Sequence, residues 1–322
     1  MKTRTIVVLS ALIVSWPLLY LAFTTLHDPQ GASLHFQTTT SENYEAPVRL
    51  AELEHQAIKE SSGVAASRRN ESLFWTHNDS GDGPFVYAFD RLGKHRGVWR
   101  VAGANALDWE DMTIGPGPKK DVSYLYLGDI GDNDKKRSEI IVYRVPEPAV
   151  SAQDASSTSK DPRTTDVAEV LRLKYADARH NAEALLVHPS TGDLYIVTKD
   201  RVAAAGVYKI KAAALNSGSG VLERVSEVGV PNQAIGMVTG GDVSPDGRRV
   251  ILCGYLGSVE MVLDDAAAAF DDVWKRPAHP VNLGARKQGE AICYRADGMA
   301  LLATSEGLPC PLIEVARRKA AQ

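Results

Sequence analysis

An all-β fold is predicted for this chain by three observations. Its apolar runs are short and rich in Val, Ile, Leu and Tyr, as in Leu194-Tyr195-Ile196-Val197-Thr198 and Arg249-Val250-Ile251-Leu252. Turn signals separate them: Thr191-Gly192-Asp193, Pro245-Asp246-Gly247 and Ala296-Asp297-Gly298. Long amphipathic helical patterns are missing, and the best short helical candidate is Ala266 to Phe270, after Asp264-Asp265. With 44% hydrophobic and 24% charged residues, the chain has the composition of a globular protein with a core of its own.

In chain order, residues 1–26 read as a membrane anchor or a signal peptide. Lys2 and Arg4 precede an apolar run from Ile6 to Phe23, and eighteen residues at about 1.5 Å each span about 27 Å, a bilayer's hydrocarbon thickness. No Lys or Arg follows Arg4 until Arg49, which places the N-terminus in the cytoplasm and the body outside it. Pro17 would shorten the apolar region of a cleaved signal, yet Leu21-Ala22-Phe23-Thr24 is a poor cleavage site, so both readings stand. The expected location is the cell envelope: a membrane-held body facing the periplasm or exterior, or a secreted body if the signal is cleaved. Residues 27–46, rich in Thr, Ser and Gln, read as a polar tether.

The body, residues 47–316, repeats internally. Asn181-Ala182-Glu183-Ala184-Leu185-Leu186-Val187, a turn and Leu194 to Lys199 match Gln288-Gly289-Glu290-Ala291-Ile292-Cys293, a turn and Ala300 to Glu306. Ser62-Gly63-Val64-Ala65-Ala66 with Leu73 to Asp79 is a third copy. Two looser copies start at Asp108-Trp109-Glu110-Asp111-Met112 and Gly240-Gly241-Asp242-Val243-Ser244. Units begin near residues 63, 110, 183, 242 and 290. That spacing, with four strands per unit, predicts a single β-propeller of five blades, with six as the alternative. The Ser-, Asp- and Thr-rich stretch 149–165 reads as a surface loop that lengthens one interval. After Glu290 one strand is lacking, and Pro47 to Leu53 is the segment available to supply it, removing an open sheet edge. Residues 317–322 form a charged tail.

Several motifs carry a resemblance. His77-Asn78-Asp79-Ser80-Gly81-Asp82, Asp108-Trp109-Glu110-Asp111, Gly128-Asp129-Ile130-Gly131-Asp132-Asn133 and Tyr143-Arg144-Val145-Pro146-Glu147-Pro148 resemble a largely uncharacterised family of exported bacterial β-propeller proteins, loosely labelled phytase-like or esterase-like. The resemblance spans roughly residues 50 to 316. It implies the fold and brings no catalytic residues.

In such a ring the start of each innermost strand and the end of the next strand meet at one mouth. Glu110, Glu183, Asp242 and Glu290 fall at first-strand starts. His77, Asn78 and Asp79, then Asp129, then Lys199 and Asp200, then Ser305 and Glu306 fall at second-strand ends. Converging carboxylates raise one another's pKa or require a cation. Oxygen donors without His/Cys spacing favour Ca2+ or Mg2+ over zinc. The expected metal ligands are therefore Glu110, Glu183, Asp242, Glu290, Asp79 and Asp129, against the alternative that these acids cap turns. His77 is the candidate general base. The loop Gly128 to Asp134 resembles a calcium loop but lacks its terminal Glu, and reads as a tight polar turn.

Three cysteines, Cys253, Cys293 and Cys310, are too few for a disulfide-built fold and read as core side chains. No G-x-S-x-G elbow and no phosphate-binding Gly-rich loop occurs. Thirty-six basic residues against forty acidic ones leave a net charge of −4, which argues against a nucleic-acid partner. Two functions remain open: an envelope module that binds a small molecule or envelope component, or a metal-dependent hydrolase of a small ester, lactone or phosphate.

Overall fold

The computed structural model describes residues 43–201, 203–229, 235–265 and 267–319, and over these the chain is all-β as expected. The segment 1–26 and most of the tether lie outside the described residues. No helix among the described residues is long and apolar enough to cross a membrane.

Val48–Glu52 (β1) comes first. Ser61–Ala66 (β2), Leu73–Asn78 (β3), Phe85–Asp90 (β4) and His95–Ala102 (β5) follow as an antiparallel meander. Trp109–Pro116 (β6), Ser123–Asp129 (β7) and Ile140–Pro146 (β8) begin a second. Arg163–Val167 (β9) then leaves it to pair in parallel with β5, and Glu169–Tyr175 (β10) completes it. Ala182–Val187 (β11), Leu194–Thr198 (β12), Gly206–Ile210 (β13) and Ser219–Glu227 (β14) form the third. Because β14 runs parallel beside β10, the second and third meanders share one eight-stranded sheet. Val238–Val243 (β15), Arg249–Gly254 (β16), Ser258–Val262 (β17) and His279–Val281 (β18) make the fourth. Ile292–Tyr294 (β19), Ala300–Ala303 (β20) and Pro311–Ala316 (β21) give three strands of the last, and β1 pairs with β21 as its fourth, the role expected of Pro47 to Leu53.

The first strand of each meander packs on the next: β2 on β6, β6 on β11, β11 on β15, β15 on β19, and β19 back on β2. This circuit explains the sequence pattern. In β2, β3, β4, β11, β12, β15 and β16 every residue is buried, because each sheet is covered on both faces, so the apolar residues of β4, β12 and β16 run on without alternation. The outer β14 exposes most of its length. The hairpin glycines Gly192, Gly247 and Gly298 all have φ near +70°, a conformation that costs a Cβ-bearing residue energy.

Two local expectations need revision. The stretch 149–165 is not wholly loop: it holds a 3-10 turn, Ala152–Ser156, and the start of β9. Ser157 is buried there, its Oγ accepting from the Val98 amide at 2.8 Å. Of the helical turn expected at Ala266 to Phe270, Ala266 lies outside the described residues; a 3-10 turn is found at Phe270–Lys275, where Val273 and Trp274 supply a buried face that the exposed Ala267 and Ala269 lack.

The ring is fastened where its ends meet. Tyr44 bridges Arg317 across the β1–β21 seam, and the Arg318 amide donates to Asn43 O at 2.8 Å. The Tyr44 hydroxyl donates to buried Glu260 at 2.6 Å, and the Tyr294 hydroxyl to the same oxygen at 2.8 Å. Arg317 and Arg249 stand 3.6 and 3.8 Å from that carboxylate. A second tie is Glu147, which accepts from Ser67 Oγ, Trp75 Nε1 and Ser123 Oγ and so joins the first two meanders. All three cysteines are buried and free.

Candidate metal centre

Each of β2, β6, β11 and β15 carries a register break near its start, a bulge that leaves one residue unpaired with the neighbouring strand and re-aims it. The residues concerned are Ser62, Glu110, Glu183 and Thr239. Just ahead of β19, Glu290 takes the corresponding place. Just beyond the second strand of three meanders, by one residue in two of them and by three in the last, the same hydrogen bond recurs: Asp79 N to Glu60 O, Lys199 N to Asn181 O and Glu306 N to Gln288 O, at 2.9 to 3.0 Å. These repeated elements bring Glu110, Glu183 and Glu290 together with Asp79, Lys199 and Glu306 at one end of the ring.

The register differs from the sequence alignment in two units: Ser62, not Gly63, and Thr239, not Asp242, match the three glutamates. Both hydroxyls serve the ring itself, Ser62 Oγ donating to Glu110 O at 2.5 Å and Thr239 Oγ1 to Gly289 O at 2.8 Å. Asp242 lies three residues deeper. Its carboxylate accepts the Val243 and Tyr294 amides, both at 2.9 Å, tying β15 to β19 away from the acids of the mouth. Burial pushes it up to about 6.

Beneath the mouth, Asp111 crosses the ring. Its Oδ1 accepts the Met112 amide at 2.8 Å, and its Oδ2 the Leu185 and Gly241 amides at 2.9 and 3.3 Å, linking β6 to β11 and β15. The residues that follow the bulge position in the other meanders are small: Gly63, Ala184, Gly240 and Ala291. A Cβ on Gly63 would stand 2.5 Å from Met112 N, so close approach of β2 and β6 demands glycine there.

At the mouth itself, two groups of three carboxylates share Asp79. Oxygens of Asp79, Asp108 and Glu110 lie within 4.8 Å of one another, and so do oxygens of Asp79, Glu290 and Glu306. Asp108, which precedes β6, is a ligand candidate that the alignment passed over. The loop 128–134 packs against it: a Cβ on Gly131 would meet Glu110 Oε1 at 2.2 Å and Asp108 Oδ2 at 2.3 Å. That loop behaves as the tight polar turn expected, with Asp132 accepting the Lys136 and Arg137 amides at 2.8 and 2.7 Å. Asp129 is fully engaged elsewhere, paired with Arg137 at 2.7 Å and accepting the Leu107 and Asp108 amides, so it positions Asp108 and stands in neither group.

Glu183 is neutralised by Lys199 Nζ, which also donates to the Tyr255 hydroxyl at 2.7 Å. Burial pushes Glu183 up to about 7 against the pull of Lys199. Burial works against the charge of Lys199, but Glu183 holds it above the ordinary lysine range. Glu290 accepts from Gln288 Nε2 at 2.9 Å. Glu306 is pushed up to about 9 by burial and its hydrogen bond to Glu290, and Asp79 up to about 6, mainly by burial. Glu110 stands apart. It is 5% exposed, and its carboxylate has no hydrogen-bond or ion-pair partner among the described residues. Burial, then the charges of Glu183, Asp79 and Asp108, hold it well above the carboxylate range.

His77 is wholly buried and edge-on to Trp109, with ring centres 5.6 Å apart. Its Nδ1 lies 2.8 Å from Asn78 O while Nε2 has no hydrogen-bond partner among the described residues, and burial lowers its pKa to about 4. It belongs to neither acidic group.

No protein-family model matches this chain, and no curated protein matches it.

These shifts fix the sign of a pH dependence. Glu183 and Glu306 titrate above their unfolded values, so the folded state keeps protons that the unfolded chain has released. Their stabilisation is complete below the unfolded carboxylate pKa and is lost as pH rises through about 7 to 9. The opposite contribution of His77 is exhausted above its unfolded value of about 6.5. In chelator, the melting temperature should therefore fall between about pH 7 and about pH 9. A calorimetric scan showing it constant or rising would contradict this protonation pattern.

Proposed function

We propose that this chain is a single five-bladed β-propeller, exported and held in the cell envelope. In this reading it serves as a binding module for a small molecule or envelope component, with a divalent cation, Ca2+ or Mg2+, at its mouth. The propeller reading is supported by the closed circuit of first strands and by β1 completing the last meander. Export rests on the charge pattern around Ile6 to Phe23, and the resemblance to exported bacterial propellers accords with it. The observation that carries the cation is Glu110: a buried, unpartnered carboxylate whose oxygen converges with those of Asp79 and Asp108. Oxygens bound at about 2.4 Å to one Ca2+ stand no more than about 4.8 Å apart, and the three oxygens lie within that limit.

The test is a melt with Ca2+ and with chelator. Ca2+ should raise the melting temperature of the wild type. Glu110→Gln should be neutral or slightly stabilising in chelator, since it removes repulsion, and should lose most of the Ca2+ shift. A wild type unmoved by Ca2+ and Mg2+ would return the acids to turn capping.

Hydrolysis of a small ester, lactone or phosphate is a second reading, favoured by one observation. Asp79 and Asp108 are half-buried rather than sealed, so a cation between them keeps positions for water and substrate. Cation-dependent turnover of generic substrates would establish it.

A further inference from the structure

We infer that a pocket beside the mouth binds the oxyanion group, phosphate or carboxylate, of a small organic molecule. The inference goes beyond the cation reading and stands without it, because no member of either acidic group takes part. The pocket, of about 300 Å3, opens where the end of β10 meets the segments 137–140 and 177–180. Arg137, in its lining, donates to Asp129 at 2.7 Å and to Gly131 O at 2.9 Å, and Asn181 Oδ1 accepts the Asp132 amide at 2.7 Å. The loop that packs on Asp108 and Glu110 thus ends at the pocket.

Charge and free donors select the ligand. Both acids of the lining have partners: Glu139 accepts from Arg172 at 2.7 Å, and Asp177 accepts the Tyr208 hydroxyl and the Ala178 amide, each at 2.7 Å. Lys174 and Arg179 are exposed and have no hydrogen-bond or ion-pair partner among the described residues. Their charge is left for a ligand, and an ammonium beside a guanidinium suits phosphate or carboxylate oxygens. Because the Tyr208 proton goes to Asp177, the Tyr208 oxygen accepts from His180 Nε2 at 2.7 Å, which leaves Nδ1 of that ring uncommitted. A separate observation points to an occupant. Tyr175 lines the pocket edge-on to His180, with ring centres 4.9 Å apart, and its buried hydroxyl has no hydrogen-bond partner among the described residues. A buried donor without an acceptor is costly, and a ligand oxygen at the inner end of the pocket supplies one. The volume falls at the small end of the range for ligand pockets, room for an organic part beside the anionic group.

The experiment titrates the full chain, in chelator, with phenyl phosphate and with benzoate by calorimetry, phenol serving as the uncharged control. At least one of the two anions should bind saturably at one site per chain and phenol should not, the tighter anion naming the head group. Lys174→Ala and Arg179→Ala should each weaken that binding about tenfold, the loss expected when one charged donor is removed. Both side chains are exposed, so the variants keep the fold. Lys120→Ala, at an exposed lysine on the β6–β7 hairpin, should leave the affinity unchanged. No saturable binding of either anion, equal binding of phenol, or an affinity unchanged in Lys174→Ala or in Arg179→Ala would overturn the pocket. Because the titration is run in chelator, failure of the cation reading leaves its result untouched.

Discussion

Deleting residues 43–53 is expected to destabilise the entire body by about 5 kcal/mol, not merely to trim one end. The deletion removes β1, the fourth strand of the last meander, and uncovers the edge of β21. It also removes Tyr44 and Leu53, each 2% exposed. Full burial of a large apolar side chain contributes about 1.5–3 kcal/mol, so these two account for most of the loss. Glu260 would lose the Tyr44 hydroxyl while remaining buried, adding about 1–3 kcal/mol. Tyr44→Phe isolates that last contribution and should cost only this smaller amount. The bare β21 edge should also promote association between molecules. Urea unfolding of the truncated and intact proteins is the measurement, and equal midpoints would mean that the ring does not depend on its β1 closure.

Asp111→Ala should cost about 3–5 kcal/mol. The side chain leaves β6 and accepts the amides of Leu185 on β11 and Gly241 on β15. Alanine would strand the Leu185 and Gly241 amides where water is excluded, at about 1–3 kcal/mol each, and would empty the centre of the ring. Asn keeps one acceptor oxygen and its size, so Asp111→Asn should recover roughly half of the loss. Denaturation midpoints of the two variants decide the matter. If alanine is as stable as the wild type, Asp111 is not what holds β6, β11 and β15 together.

The meanders were legible in the sequence because Asp-Gly and Gly-Asp turns recur between short apolar runs and because strands covered on both faces become unbroken apolar stretches. Sheet membership was less so. The pairing of β10 with β14 and of β9 with β5 is parallel and non-local, and neither run announces a partner more than forty residues away. At the mouth, Glu110, Glu183 and Glu290 could be found because charge at a strand start is conspicuous. Asp242 was drawn in by the same charge, although a bulge is set by backbone register. The turns held the missing signal: counting back seven residues from Asp297 and from Asp246 reaches Glu290 and Thr239. Asp108 was hidden because it lies outside the strand, and only the packing of the loop at Gly131 turns it toward Glu110.

The latch between Tyr44 and Arg317 also fixes which way the molecule faces. β20 climbs from Ala300 toward Glu306 at the mouth, β21 descends until Ala316 lies opposite Ala300, and Tyr44 joins one residue further down. Asn43 and Arg318 therefore sit at the floor of the ring, with the acids at its ceiling. Anything fused ahead of Asn43 or behind Arg318 attaches to that floor. A support coupled through either end would leave the carboxylates pointing away from it, open to whatever arrives from solution.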